Sequence, residues 1–434
     1  MTVIDLGDRT EPTEPRPPRR RIRAGRSRSL LLPMMLAVLL VLTGAAPPAV
    51  RMQAVLPSSL AAEVFLTGEQ IVAVVPLREA GGDDQEVLVY RRPERAGGHT
   101  QQLTPLWRLP IGPSRVTVAE AVGDDGLVLS LYGTDSDRSE TMLLNSRTGQ
   151  PRWRQPGIAT IDASDRVLLH TFDGQDLVAV SSAELTTGRV LWSMPSRAKF
   201  VSYHQRAARV DALVVSTVAG DIEVLDPRTG TLRRRLPAVG DADRYQYAVV
   251  MGDLVLVVNP TRVAAYHVDE LDRRWQALLA SIVWVHPCGD LVCVRAGDGE
   301  SVYILDPATG EIRWRVVENV NVLVASDARA LVIDHRGSGQ TVTTVHAGTR
   351  GADDAERWEL VDGFGDDPEL LGTRSIRDVG VVLARIDPTR TQPRRIDLLP
   401  GATGNCGYRE DLIVCRRQDG DFGVWELHGA ARRP

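Results

Sequence analysis

Lysine is almost missing. Lys199 is the only one in 434 residues, and arginine supplies the other basic side chains. That bias is compositional and carries no phosphate-binding signal. Eight histidines are scattered, and none forms His-Glu-x-x-His, which excludes that zinc-hydrolase arrangement. "SRAK" at Ser196 matches Ser-x-x-Lys, but Ser-Asp-Asn and Lys-Thr-Gly are both absent, so it is not read as a nucleophile. The acidic stretches "GGDDQE" at Gly81, "GTDSDR" at Gly133 and "FGDDPE" at Phe364 lack the spacing of a calcium loop and read as solvated turns. No catalytic, cofactor-binding or metal-binding set emerges from these residues.

Positive charge is also scarce outside one segment. Met1–Ser29 holds eight arginines and four acids, a net of +4, while the whole chain is −5, so the remainder carries −9. An acidic body excludes nucleic acid as the expected partner. The arginines precede Leu30–Val50, 21 residues without a charged side chain. About 20 apolar residues span a hydrocarbon core, and arginines on the amino side hold that end in the cytoplasm. The expectation is a disordered cytoplasmic arm over 1–29, a transmembrane anchor over 30–50, a linker over 51–62 and an exported body over 63–430. Cleavage near "TGAA", giving a secreted body, is the alternative.

The body repeats itself. "SVYILDPATGEIRW" at Ser301–Trp314 has relatives at Thr141–Trp153, Val180–Trp192 and Asp221–Arg234. Trp107, Trp153, Trp192, Arg234, Trp275, Trp314 and Trp358 hold equivalent places, with gaps of 46, 39, 42, 41, 39 and 44 residues, and Leu398 follows as a degenerate copy. A period near 40 is that of four-stranded propeller blades. The apolar runs are short, β-branched and bounded by Gly, Asp and Pro, so they are strands. In "DPATG", Asp306 accepts from backbone N–H groups and the Thr309 hydroxyl, Pro307 presets φ, and Gly310 supplies the left-handed residue. This is a hairpin specification. Trp314, four residues on, is placed against the adjacent blade, where an indole buries about 200 Å².

These repeats resemble the tryptophan-docking motif of the PQQ-type (quinoprotein) β-propellers. The resemblance rests on Asp306, Thr309, Gly310 and Trp314, and more weakly on Asp226, Thr229 and Gly230, on Thr148, Gly149 and Trp153, and on Thr187, Gly188 and Trp192. It covers Glu63 to about Leu427. It implies an all-β propeller of four-stranded blades, eight with seven as runner-up, closed by pairing the two chain ends. The spare strand for that closure is expected near "AAEVFLTG" at Ala61. The family holds dehydrogenases and non-enzymatic scaffolds, among them an outer-membrane-barrel assembly lipoprotein. The dehydrogenases carry an adjacent-cysteine disulfide, and no Cys-Cys occurs here. Trp284 and Trp425 are off the docking register and lie in strand-like runs. No lipobox-like cysteine follows the apolar stretch.

Cys288, Cys293, Cys406 and Cys415 form an even set, which suggests disulfides in an exported body. The local pairs Cys288–Cys293 and Cys406–Cys415 are favoured, with cross-pairing and free thiols as alternatives. The expected function is a membrane-tethered, extracytoplasmic binding or scaffolding module, monomeric and without cofactor. Its expected partner is another envelope protein, and the long connectors Pro76–Thr104, Gly348–Arg357 and Thr389–Arg394 are candidate contacts. The alternative is a dehydrogenase-like or other enzyme on the same scaffold.

Overall fold

Strands begin where the apolar runs predict them. The computed structural model describes residues 52–427 apart from 78–82, 94–99, 134–137, 162–164, 175, 196–197, 208, 239–244, 298–300, 318–319, 335–340, 348–357, 364–369, 388–389 and 391–392. The expected arm and anchor, 1–50, lie outside the described residues. Among the described residues, no helix is long and apolar enough to cross a membrane.

Among the described residues, six sheets are four-stranded antiparallel meanders in chain order. Blade 1 comprises Glu63–Leu66, Gln70–Pro76, Gln85–Arg91 and Trp107–Gly112. Blade 4 comprises Ala198–Arg206, Arg209–Thr217, Ile222–Leu225 and Leu232–Leu236; blade 5 comprises Tyr247–Met251, Leu254–Asn259, Arg262–His267 and Arg273–Leu278. Blade 6 comprises Trp284–Cys288, Leu291–Ala296, Ser301–Leu305 and Ile312–Val317. Second strands such as Gly126–Gly133 and Leu254–Asn259 are buried along most of their length, because neighbouring sheets cover both faces.

The turn chemistry explains the spacing of the tryptophans. Asp306 Oδ1 accepts from the N–H groups of Ala308 at 2.7 Å and Thr309 at 3.1 Å. The Thr309 hydroxyl does not bond Asp306 as expected; it accepts from Glu311 N–H at 3.2 Å. The Arg313 guanidinium, and then the Ala308 N–H, hold the Asp306 carboxyl below its ordinary value. Each turn of this kind receives an indole from the preceding blade. Trp107 Nε1 donates to Ser146 O at 2.8 Å, Trp153 to Leu185 O at 2.8 Å, Trp192 to Pro227 O at 3.1 Å and Trp275 to Pro307 O at 2.6 Å. The turn glycines, Gly149, Gly188, Gly230 and Gly310, have φ between +70° and +73° and lie flat under those rings. A Cβ on Gly310 would stand 2.6 Å from Trp275 Cδ2. Glycine is therefore required twice, once by the backbone and once by the ring.

The docking varies farther along. Trp314 Nε1 donates to Ser326 O, in the first hairpin of the next blade, at 2.9 Å. Trp358 is buried, and the Arg374 guanidinium lies 5.2 Å from its centroid.

Eight blades are expected and eight sheets are present among the described residues, but they do not map one to one. One sheet has seven strands, in which Trp358–Leu360 pairs with Leu370–Ile376 and so joins two units. An apolar cluster packs between those two halves. The strands after Leu398 do not complete the eighth unit. Ala402–Arg409, Leu412–Arg417 and Phe422–Glu426 form their own sheet, whose next strand is Met52–Leu56. Among the described residues, nine apolar clusters thus alternate with nine units. The closing strand lies in the segment expected to be linker, while Glu63–Leu66, the expected spare strand, opens blade 1. "MQAVL" carries no repeat signal, and it is placed in the ring by pairing with Phe422–Glu426. Both local disulfides are present, Cys288–Cys293 and Cys406–Cys415, each bridging the first hairpin of its unit.

Replacing Gly310 by alanine should cost about 2–5 kcal/mol, from left-handed strain and the clash with Trp275. Gly252→Ala, at φ +52° with nothing within 4 Å of the added Cβ, should cost only the strain, about 1–2 kcal/mol. Urea unfolding midpoints of the two variants check the difference; equal losses would contradict the docking.

Candidate interaction surface

At the junction of blades 4 and 5 both members of the indole–glycine pair are replaced. Arg234 occupies the tryptophan place and is exposed. Leu271 occupies the glycine place, at φ +56°, and still donates its N–H to His267 O at 2.8 Å. The leucine side chain packs into the apolar cluster between these blades, space that an indole would otherwise claim. The seam is held instead by first strands and charge. His204 is 2 % exposed. Its Nδ1 meets Asp211, and its Nε2 lies 3.2 Å from Asp253 Oδ1 on blade 5. Arg206 reaches Asp211 at 3.3 Å, Asp253 at 3.3 Å and Asp269 at 3.6 Å. The Asp253 carboxyl is held below its usual range, first by Arg206 and then by His204.

At the opposite ends of the same first strands, aromatic rings reach the surface. Phe200 is 41 % exposed, Trp284 45 % and Tyr245 66 %. Phe200 and Tyr247 have centroids 5.7 Å apart, and Tyr247 and Trp284 stack at 6.0 Å. The Tyr247 hydroxyl accepts from Val285 N–H at 3.0 Å, which ties blade 5 to blade 6 and fixes the ring. Burial holds that phenol above its ordinary value. Lys199 Nζ lies 5.8 Å from the Tyr245 centroid, a cation–π arrangement. In an antiparallel meander the starts of first strands, the second-to-third turns and the ends of last strands share one rim. That rim also exposes Val218, Leu278 and Val283. Exposed apolar side chains gathered in one region mark an interaction site more than single ones do.

Among the described residues, one set of metal-capable side chains lies together: His267, Glu270 and Asp272, with ligand atoms within 4.8 Å of one another. Glu270 is already 2.5 Å from His267 Nδ1, and Asp272 is 3.4 Å from Arg274 Nε. These are turn contacts in the place of Asp306 and Thr309. The tryptophans named from sequence as docking residues spread around the ring and do not converge; Asp306, Thr309 and Gly310 meet Trp275 at one junction. Of the candidate connectors, 348–357, 78–82, 94–99, 388–389 and 391–392 lie outside the described residues. Trp284, off the docking register, is in the aromatic rim; Trp425 is fully buried. Phe200, Tyr245, Tyr247 and Lys199 had no motif. Their only sequence signal is an aromatic residue at the start of three successive first strands.

The profile of the family described as outer membrane protein assembly factor BamB matches residues 101–316. Three solved structures are similar. BamB from Moraxella catarrhalis is 13% identical, over 86% of this chain and 98% of that one, with a TM-score of 0.42. Quinohemoprotein alcohol dehydrogenase from Comamonas testosteroni is 13% identical, over 70% and 69%, at 0.41. Sqt1 from Saccharomyces cerevisiae is 10% identical, over 88% and 97%, at 0.46. No curated protein matches.

One further titratable group lies near the ring's first strands. His170 bonds the Tyr203 hydroxyl, and burial lowers its pKa from 6.5 to about 4. The folded ring is neutral where the unfolded ring would take a proton. Stability from this source is therefore complete above pH 6.5 and is lost as pH falls towards 4, by at most about 3 kcal/mol. Unfolding midpoints of the natural chain between pH 7 and 4 should fall with that sign, and His170→Gln should flatten the profile. An unchanged profile would contradict the assignment.

Proposed function

Because the chain is a PQQ-like repeat propeller protein, we propose that it is a protein-binding or scaffolding module whose partner docks on the rim of blades 4 to 6. One observation carries this: Phe200, Tyr247 and Trp284 form a continuous aromatic group at the surface, and Phe200, Trp284 and the neighbouring Tyr245 are widely exposed. Such residues supply large rigid contact area and dominate the energetics of protein interfaces. The matched family's description, an assembly factor, is of work done on other proteins. The 21 uncharged residues of Leu30–Val50 and the arginines before them support export on an uncleaved anchor, with the propeller outside the cytoplasm. The module is read as non-catalytic.

A photoreactive amino acid placed at Phe200 or Trp284 in intact membranes should crosslink one partner protein. The same group at Leu398, which is comparably exposed on another blade, should not. Phe200→Ala with Trp284→Ala should weaken that partner about ten- to a hundredfold while changing folding stability by about 1 kcal/mol or less. Equal crosslinking at Leu398, or none at Trp284, would refute the proposed surface.

A further inference from the structure

A charge without a counter-charge is buried where the ring closes. Arg416 is 7 % exposed. Its Nη1 donates to Ser59 O at 2.8 Å and Gly420 O at 3.0 Å, and its Nη2 donates to Ala62 O at 2.7 Å. Its Cζ stands 4.2 Å from the Phe422 centroid. A guanidinium has five N–H groups, so one on Nη2 and the one on Nε remain. Nε is buried and has no hydrogen-bond partner. Among the described residues no carboxylate forms an ion pair with Arg416. The contrast is Asp221, also buried at 8 %, which is paired with Arg235.

Beside this side chain lies a cavity of about 390 Å³ between the first strand of blade 1 and the closing sheet. Arg416 lines it together with Val64, Phe65, Val414, Phe422 and Cys406. Its volume falls among small-molecule sites, about 300–1,000 Å³. Carbonyl dipoles solvate a buried cation only in part, and a carboxylate beside a guanidinium forms a strong charge-assisted pair. Walls that are mostly apolar select an anion bearing an apolar tail. Glu63, exposed on the same lining, disfavours a multiply charged anion.

We propose that this cavity binds a small amphiphilic carboxylate, its headgroup paired with the Arg416 guanidinium and its tail against Val64, Phe65 and Phe422. The site is remote in sequence and in the ring from the aromatic rim of blades 4 to 6, and its fate is independent of that surface. A ligand here touches both the connector before blade 1 and the last sheet, so it favours the closed ring over the unfolded chain.

The test uses the full-length chain with octanoate as probe, read by thermal unfolding and by calorimetric titration. Octanoate should raise the melting temperature with a saturable dose dependence, whereas 1-octanol, which lacks the charge, and acetate, which lacks the tail, should not. Arg416→Met should abolish the response. Should that variant fail to fold, Val64→Phe leaves the three carbonyl bonds in place, narrows the cavity and should raise the octanoate Kd about tenfold or more, a loss of about 1.4 kcal/mol. No saturable octanoate binding, an equal response to octanol or acetate, or an unchanged Kd in Val64→Phe would overturn the proposal.

Discussion

An indole lying on a glycine holds one blade to the next. The glycine is at positive φ because the hairpin needs a left-handed residue. It lacks a Cβ, and that allows the tryptophan of the preceding blade to approach the backbone itself. The indole N–H then reaches the carbonyl of the second turn residue. Local turn chemistry and long-range packing thus make the same demand on one residue. Agreement of that kind between levels is what lets a repeated sequence specify a single arrangement.

Between blades 4 and 5 both members of the pair are replaced together. Arg234 and Leu271 replace tryptophan and glycine at one junction, and the leucine keeps the turn's backbone hydrogen bond while its side chain fills the gap. The adhesive at that seam becomes a buried histidine between two aspartates, with an arginine bridging them. The aromatic rim lies on the first strands of the same blades. These rings lie off the docking register, on first strands rather than last ones, and stand at the surface.

Ring closure follows a third logic. Met52–Leu56 pairs with Phe422–Glu426, and arginines reach across the join. Arg409 takes Glu120 in a two-pronged bridge at 2.6 and 3.0 Å and also reaches Leu66 O, while Arg416 gathers three carbonyls. Guanidinium groups suit this work because their fixed fork of donors spans several acceptors at once.

The repeat was legible because each unit solves its turn locally. Asp306, Pro307 and Gly310 act on neighbours within a few residues, so their spelling recurs wherever the hairpin recurs, and the period places the docking tryptophans. The two disulfides were legible for the same reason: each joins adjacent strands of one hairpin. The number of units was not, since the ninth takes one strand from the start of the chain and three from its end, and strand pairing across that distance leaves no pattern in either segment. Nor was the candidate surface. Phe200, Tyr247 and Trp284 follow one another at intervals of 47 and 37 residues along the chain, and nothing in "AKFVSY", "YQYAVV" or "IVWVHP" states which face each ring takes. The hairpins and their docking residues are properties of the sequence itself. The exposed rings, the charged seam and the unpaired guanidinium arise only when distant strands are brought side by side, because burial and facing are set by neighbours the chain supplies from elsewhere.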